Sequence, residues 1–469
     1  MKTKIILLLV ILIISCRKSS VSSNPHNIEQ WMGIYIKQEK IGYSFLRLEK
    51  VNGYYKLTNR IKINLKMMGQ EEEIVSSFSG LVNPDYALKN FEFSFNSRGR
   101  VFSATGQVEN GLLNIEVNSA GTVKRIQSNA NFPIYPSPVL GTVAIKKRFP
   151  IGKEQSVKTF DATTLSIIDA KIKILGKELI ALGEKNYNLY KVEITMLGLK
   201  TITWVDENGI SKKELSPPEM VMVEETYEQA LSQEKSFGKI DILSLFSIAV
   251  DTVIANPRAL KYLKLKLTNA DLTGLAIADE NQRIIQEQPL IVEITTPDIT
   301  FAKNLMLPIR EQQGLLKPSI YIQSDDAMIK KTANKIIGQE TDVLKITRNI
   351  MQWVYTNIKK RATASLPSAV DVLKNLEGDC NEHAVLFAAL SRTVGIPCQI
   401  CVGLVYADGR FAYHAWNKVY LGKWIMVDPT FGQLPADATH IKLSEGELEE
   451  QAKVLKIVGK AKIVILEYY

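Results

Sequence analysis

The chain has 469 residues, with 58 Lys and Arg against 49 Asp and Glu, a 46% hydrophobic share and four cysteines. That length holds two to four domains with ample core. Its lysines are spread rather than clustered, which fits a solvated surface near anionic lipid or polymer and excludes a nucleic-acid binder.

In chain order, Lys2 and Lys4 precede ten apolar residues, 5–14, and the segment ends Ile13-Ile14-Ser15-Cys16. A positive end, a short apolar stretch and a small residue before the cut read as an export signal over residues 1–15. Ten apolar residues fall well short of the roughly 20 that span a bilayer as a helix. The last four residues resemble a bacterial lipobox. That resemblance implies that Cys16 becomes the lipid-modified first residue of a mature protein anchored to a bacterial envelope membrane; the bland alternative is a cleaved signal with an incidental cysteine. The polar run 16–27 then acts as a flexible tether. Removing residues 1–15 leaves 56 basic against 49 acidic residues. Removing Cys16 from the count leaves three cysteines, an odd number that implies a free thiol. No later segment is long and apolar enough to span; residues 242–255 are interrupted by Ser244, Ser247 and Asp251.

Residues 28–235 read as an antiparallel β-rich domain. Ile61, Ile63, Leu65 and Met67 alternate with polar residues, as do Phe91, Phe93 and Phe95, and Val192, Ile194 and Met196. Asn52-Gly53, Asn110-Gly111 and Asn208-Gly209 sit between such runs as hairpin turns. The meander is either a half-barrel with a ligand-binding concave face or a filled spacer that serves as a docking platform. A small α/β connector follows over residues 236–310, mixing an apolar helix with the strand pattern Tyr262-Leu263-Lys264-Leu265-Lys266-Leu267.

Residues 311–469 carry the chemistry. Asp379 and Glu382 are spaced as a capping box, so a helix begins at Cys380 and runs through the apolar Ala384-Val385-Leu386-Phe387-Ala388-Ala389-Leu390 to Gly395 and Pro397. A first-turn thiol feels the positive end of the helix dipole, which is expected to lower its pKa; its backbone N–H faces the place of a developing oxyanion. The bland reading is a core cysteine at a helix start.

A histidine and an aspartate weigh against that reading. His414 and Trp416 alternate along one predicted strand, and Trp424, Met426 and Asp428 along the next, with Gly422 marking the hairpin between them. A three-residue loop, Leu421-Gly422-Lys423, pairs Tyr420 with Trp424 and brings Asp428 to the face of His414; a two-residue loop would send the two to opposite faces. Cysteine, histidine and aspartate in this order supply the nucleophile, base and orienting group of acyl transfer.

Taken together, Gly-Asp-Cys-Asn-Glu-His, Gly-Ile-Pro before a strand, His-Ala-Trp and Val-Asp-Pro-Thr-Phe-Gly resemble the core of the transglutaminase-like superfamily. The resemblance covers about the last third of the chain. It implies an α+β fold of papain-like type, with a central helix packed on an antiparallel sheet, and the catalytic set Cys380, His414 and Asp428. Upstream, Gln352 or Trp353 is the nearest candidate for a side-chain oxyanion donor, although a tryptophan spaced with Ile346, Ile350 and Val354 is more simply core.

Of the remaining residues, His383 reads as a hydrogen-bonded first-turn histidine, with a second-base role as the alternative. His440 reads as a structural or rim residue. Cys398 and Cys401 lie three apart in one strand and point to opposite faces, so they form neither a disulfide nor a metal site. No cofactor or metal is expected. The expected partners are a protein or peptide substrate, an amine acceptor and, through the anchor, a membrane. The functional expectations are an acyltransferase, a protease or amidase acting on envelope peptides, and a non-catalytic scaffold that keeps the fold.

Overall fold

The structure, a computed structural model, describes residues 27–67, 69–217, 219–232, 241, 247–457 and 460–469. The export signal, Cys16 and the tether up to residue 26 lie outside these residues.

The alternating segments after residue 28 build one 15-stranded sheet. Strands β1 (Ile28–Ile36), β2 (Glu39–Val51), β3 (Tyr54–Met67), β4 (Gln70–Val82), β5 (Leu88–Ser97), β6 (Arg100–Glu109), β7 (Leu112–Ser119) and β8 (Thr122–Asn129) form an antiparallel meander. A second run follows: β9 (Ile134–Pro136), β10 (Glu154–Asp161), β11 (Ser166–Leu182), β12 (Lys185–Met196), β13 (Leu199–Val205), β14 (Ser211–Ser216) and β15 (Met220–Glu225). Its last strand returns to pair antiparallel with β1. Only β9 and β10 are parallel within it. Asn52-Gly53 and Asn110-Gly111 take positive φ at both positions, the geometry that matches the twist of a two-residue hairpin.

The two halves of this sheet share one core. Phe91 of β5 meets Phe160 of β10 with ring centroids 4.4 Å apart, and the short helix Leu140–Lys146 buries Leu140, Val143 and Ala144 among them. The inside is therefore mostly filled, leaving a cavity of about 250 Å³ lined by residues such as Met32, Asn59, Thr203 and Glu214.

The rest of the chain is built around the helix Cys380–Thr393, the cysteine helix, which buries every residue from Glu382 to Arg392. Each fully buried Leu or Phe contributes on the order of 1.5–3 kcal/mol. On one side it packs against the helices Ala327–Ile337, Val343–Asn357 and Ala369–Asn375; on the other it packs against β22 (Cys398–Ala407) and β23 (Arg410–Tyr420). The expected separate connector is not separate in its packing. Strands β18 (Gln282–Glu287), β19 (Leu290–Thr295) and β17 (Tyr262–Thr268) lie side by side in that order, β17 pairs with the chain's last strand, Lys462–Tyr468, and Leu263, Leu265 and Val292 join the core of the cysteine helix. Nor is its apolar stretch helical where it is described, since Ser247–Ala249 forms strand β16 against β23.

The two units meet beside the start of the cysteine helix. Arg100 of β6 and Arg361 each reach Glu377 at 3.2 Å, Arg361 also binds Gln70, and Ser119 bonds Ser368 at 2.7 Å. No helix of the described residues is long and apolar enough to cross a membrane.

Candidate active site

The capping box expected from Asp379 and Glu382 is present. The Asp379 side chain accepts from Asn381 N, and Glu382 returns to accept from Asp379 N at 2.9 Å. Glu382 is buried and takes a second bond from Thr363 at 2.9 Å. Its side chain fills the space beside Gly378, where an added Cβ would lie 2.3 Å from it. Glycine is thus required there by contact. The turn before the helix is held by β20 (Lys359–Lys360) pairing with β21 (Glu377–Gly378).

The hairpin has the three-residue loop. Tyr420 pairs with Trp424 and Asn417 with Val427, the last residue of β24 (Trp424–Val427). Asp428 therefore continues onto the face of His414, and the imidazole Nε2 donates to Asp428 Oδ2 at 2.7 Å. The other carboxylate oxygen accepts the backbone N–H groups of Thr430 and Phe431 at 2.7 and 3.0 Å. This is the work of the Asp-Pro-Thr-Phe run: a turn in which the carboxylate bonds the backbone two and three residues on. The His414 ring lies between the rings of Trp416 and Phe431, with centroids 5.9 and 4.9 Å away.

His414 lies on the face of β23 opposite the one that packs on the helix: Phe411 and Ala415 belong to the core of the helix, whereas His414 stacks on Trp416 and Phe431. β23 is paired along its length by β22 and, from Asn417 on, by β24. The Cys380 sulfur accepts the backbone N–H of Ala415, next to His414. Among the described residues no hydrogen bond joins thiol and imidazole. With Nε2 bound to Asp428, Nδ1 is the ring nitrogen left for the thiol proton.

The expected drop in the thiol pKa is reversed. Burial, then the carboxylates of Asp379, Glu382 and Asp428, push the half-buried Cys380 thiol well up, against the pull of the Ala415 N–H. The cap that starts the helix is itself the opposing charge. Asp379 is in turn pushed up by burial and by its neighbour Glu382. A thiol held up in this way keeps its proton at neutral pH.

Residues 330–429 match the profile of the transglutaminase-like superfamily. This C-terminal region is transglutaminase-like. Three solved structures are similar to parts of the chain. A candidate cysteine protease from Cytophaga hutchinsonii is 20% identical, covers 45% of this chain and 86% of its own, and gives a TM-score of 0.29. A beta-barrel-like protein of unknown function from Brucella abortus is 12% identical, with 42% and 95% covered and a TM-score of 0.34. A candidate protease from Parabacteroides distasonis is 10% identical, with 81% and 71% covered and a TM-score of 0.21. No curated protein matches the chain.

The other predicted residues of the transglutaminase-like region take different places. Gln352 is exposed, and Trp353 packs on the core. It is Tyr355 of the same helix that reaches the loop after Asp428, its ring 3.0 Å from where a Cβ on Gly432 would stand. Cys398 and Cys401 are free and buried in different clusters, on opposite faces of β22. His383 donates Nδ1–H to the Asp379 carbonyl at 2.6 Å, as a first-turn residue should, and burial pushes its pKa down.

Of the two readings of His440, structural or rim, burial removes the rim: it is 4% exposed, and its Nε2 donates to the same Asp428 oxygen that His414 holds, at 2.9 Å. His414, Asp428 and His440 place one nitrogen, one oxygen and one nitrogen within 4.8 Å, the composition of a metal donor set. The two N–H bonds to one carboxylate oxygen already account for that spacing.

Proposed function

We propose that the chain is a cysteine acyl-transfer enzyme of transglutaminase-like type, anchored to a bacterial envelope membrane through Cys16, in which Cys380, His414 and Asp428 act as nucleophile, base and orienting group. One observation carries the reading: the 2.7 Å bond that fixes His414 on Asp428, one residue along β23 from the Ala415 N–H that the Cys380 sulfur accepts. A helix packed against an antiparallel sheet supports a papain-like arrangement.

In the reaction the Cys380 sulfur attacks an amide or peptide carbonyl while His414 Nδ1 takes its proton. Asp428 stabilises the imidazolium so formed. The new oxyanion receives the backbone N–H of Cys380, which has no acceptor within its helix. The C–N bond then breaks, the leaving amine takes the proton from His414, and a thioester remains on Cys380. An amine that resolves this thioester gives transfer; water gives hydrolysis. The β-rich unit, gripping Glu377 just before the nucleophile, serves as the docking platform for a protein or peptide substrate.

The test is incubation with a glutamine peptide and a tagged primary amine, with mass spectra of both peptide and protein. Amine incorporation supports transfer, cleavage of the peptide supports the protease, and a thioester on Cys380 supports either. His414→Ala should lose nearly as much activity as Cys380→Ala, because triad members act as a unit. A His414→Ala variant that keeps most of its rate removes the base.

A further inference from the structure

The second histidine on Asp428 has a determinable charge. His440 Nε2 faces Asp428 Oδ2 at 2.9 Å, and its Nδ1 faces the backbone carbonyl of Asp437 at 3.0 Å and the Asp437 carboxylate at 3.5 Å. All of these are acceptors. A neutral imidazole has one N–H and one lone pair, so either tautomer would turn a lone pair on an oxygen inside the core. Only the doubly protonated ring satisfies both ends. Asp437 is itself compensated by Arg258 at 2.9 Å, and the Arg258 guanidinium lies 4.3 Å over Phe431, the ring stacked on His414.

We infer that His440 is a positioning residue: a buried imidazolium that shares Asp428 Oδ2 with His414 and, through Asp437 and Arg258, locks the carboxylate and one wall of the catalytic imidazole in place. Its catalytic meaning rests on the reading proposed above; its charge does not. Asp428 receives four donors, two on each oxygen, and is left no freedom to rotate. Burial opposes the charge on His440, but Asp428 and Asp437 outweigh it and hold its pKa up to about 9. The imidazolium thereby compensates the buried Asp428 carboxylate, one of the charges that push the Cys380 thiol up.

The groups facing His440 are Asp428 and His414 across the pocket and Asp437 on its own segment, with Arg258 behind Asp437; those facing Cys380 are Asp379, Glu382, Asp428 and Tyr413. The first measurement is long-range ¹H–¹⁵N NMR of the histidine rings in the full chain at pH 8. The expected spectrum has one ring with both nitrogens protonated, absent in His440→Gln. Four neutral rings, or a stoichiometric metal on elemental analysis, would overturn the inference, whether or not the protein is an enzyme.

The second measurement is the rate of iodoacetamide alkylation of Cys380 against pH. In His440→Gln, whose fold is checked by circular dichroism, the Asp428 carboxylate loses its compensating charge and bears more fully on the Cys380 thiol, which it pushes up. Alkylation near neutral pH should then fall several-fold and the profile should move to higher pH. A profile that drops evenly at all pH values would reduce His440 to a packing residue. If His440→Gln does not fold, the wild-type spectrum alone decides the charge.

Discussion

Replacing Asp428 by asparagine tests the site as a charge network. The carboxylate accepts two backbone N–H groups on one oxygen and two imidazole N–H groups on the other, and it is fully buried. An amide of the same shape has one acceptor end only. Its NH2 end must face either the turn backbone or the histidines, and His440 can meet an NH2 group only by giving up its proton. The magnitude follows from linkage. Its partners raise the His440 pKa from 6.5 to about 9, a shift of about 2.5 units, or about 3 kcal/mol. Because the folded-state pKa is the higher one, that stabilisation is complete below pH 6.5 and is lost as pH rises through 9. Wild type should therefore lose about 3 kcal/mol between pH 6 and pH 9.5 through this group, and Asp428→Asn, which keeps only Asp437 beside His440, should lose less. At pH 6 the variant should be less stable by about 3–5 kcal/mol, the cost of removing one partner of a buried pair. Urea midpoints followed by tryptophan fluorescence give both quantities, since Trp416 and Trp424 report on this unit. A stability gap of equal size at pH 6 and pH 9.5 would refute the charged His440 and the shared carboxylate together.

The cysteines offer a sharper contrast. Burial holds Cys398 up to about 12 and Cys401 higher still, so Cys380→Ala should abolish iodoacetamide labelling of the folded protein, while Cys398→Ala and Cys401→Ala leave it intact; label on either buried cysteine by peptide mapping contradicts this. Gly378→Ala sets a methyl group against Glu382 and should cost about 1–3 kcal/mol in denaturant unfolding, slowing Cys380 alkylation as the capping box shifts. A Gly378→Ala protein with unchanged midpoint would mean that the box yields freely. Deleting Gly422 shortens the loop by one residue, so β24 either turns Ile425 and Val427 out of the core or breaks its pairing. Full alkylation reactivity with a native melting curve would show that the hairpin does not position the site.

What was legible in the sequence was whatever depends on local spacing. Asp379 and Glu382, three apart, announce a capping box, and the box forms. The period of two along β23 and β24, with a loop count, places Asp428 beside His414, and the carboxylate arrives within hydrogen-bond reach. The illegible parts come from elements brought together across the chain. That Arg100 grips Glu377 just before the cysteine helix depends on a strand 277 residues earlier in the chain. His440 reaches Asp428 only because the chain reverses at residues 428–433, where Asp428 and Gln433 exchange backbone bonds and no periodicity marks the turn.

The thiol shows a third case, in which the right elements led to the wrong sign. A helix N-terminus does favour a thiolate, by an amount that falls off within one turn. Here the group that caps the helix is a carboxylate next to the sulfur, and Glu382, held by Thr363 on its other side, is buried one turn along. Burial first, and then these acids, act more strongly on Cys380 than the helix dipole does. In the reaction proposed above the thiol keeps its proton until His414 takes it, so activation falls on the imidazole. There the charge on Asp428, and whatever shares it, would bear more on reactivity than the position of the cysteine on its helix.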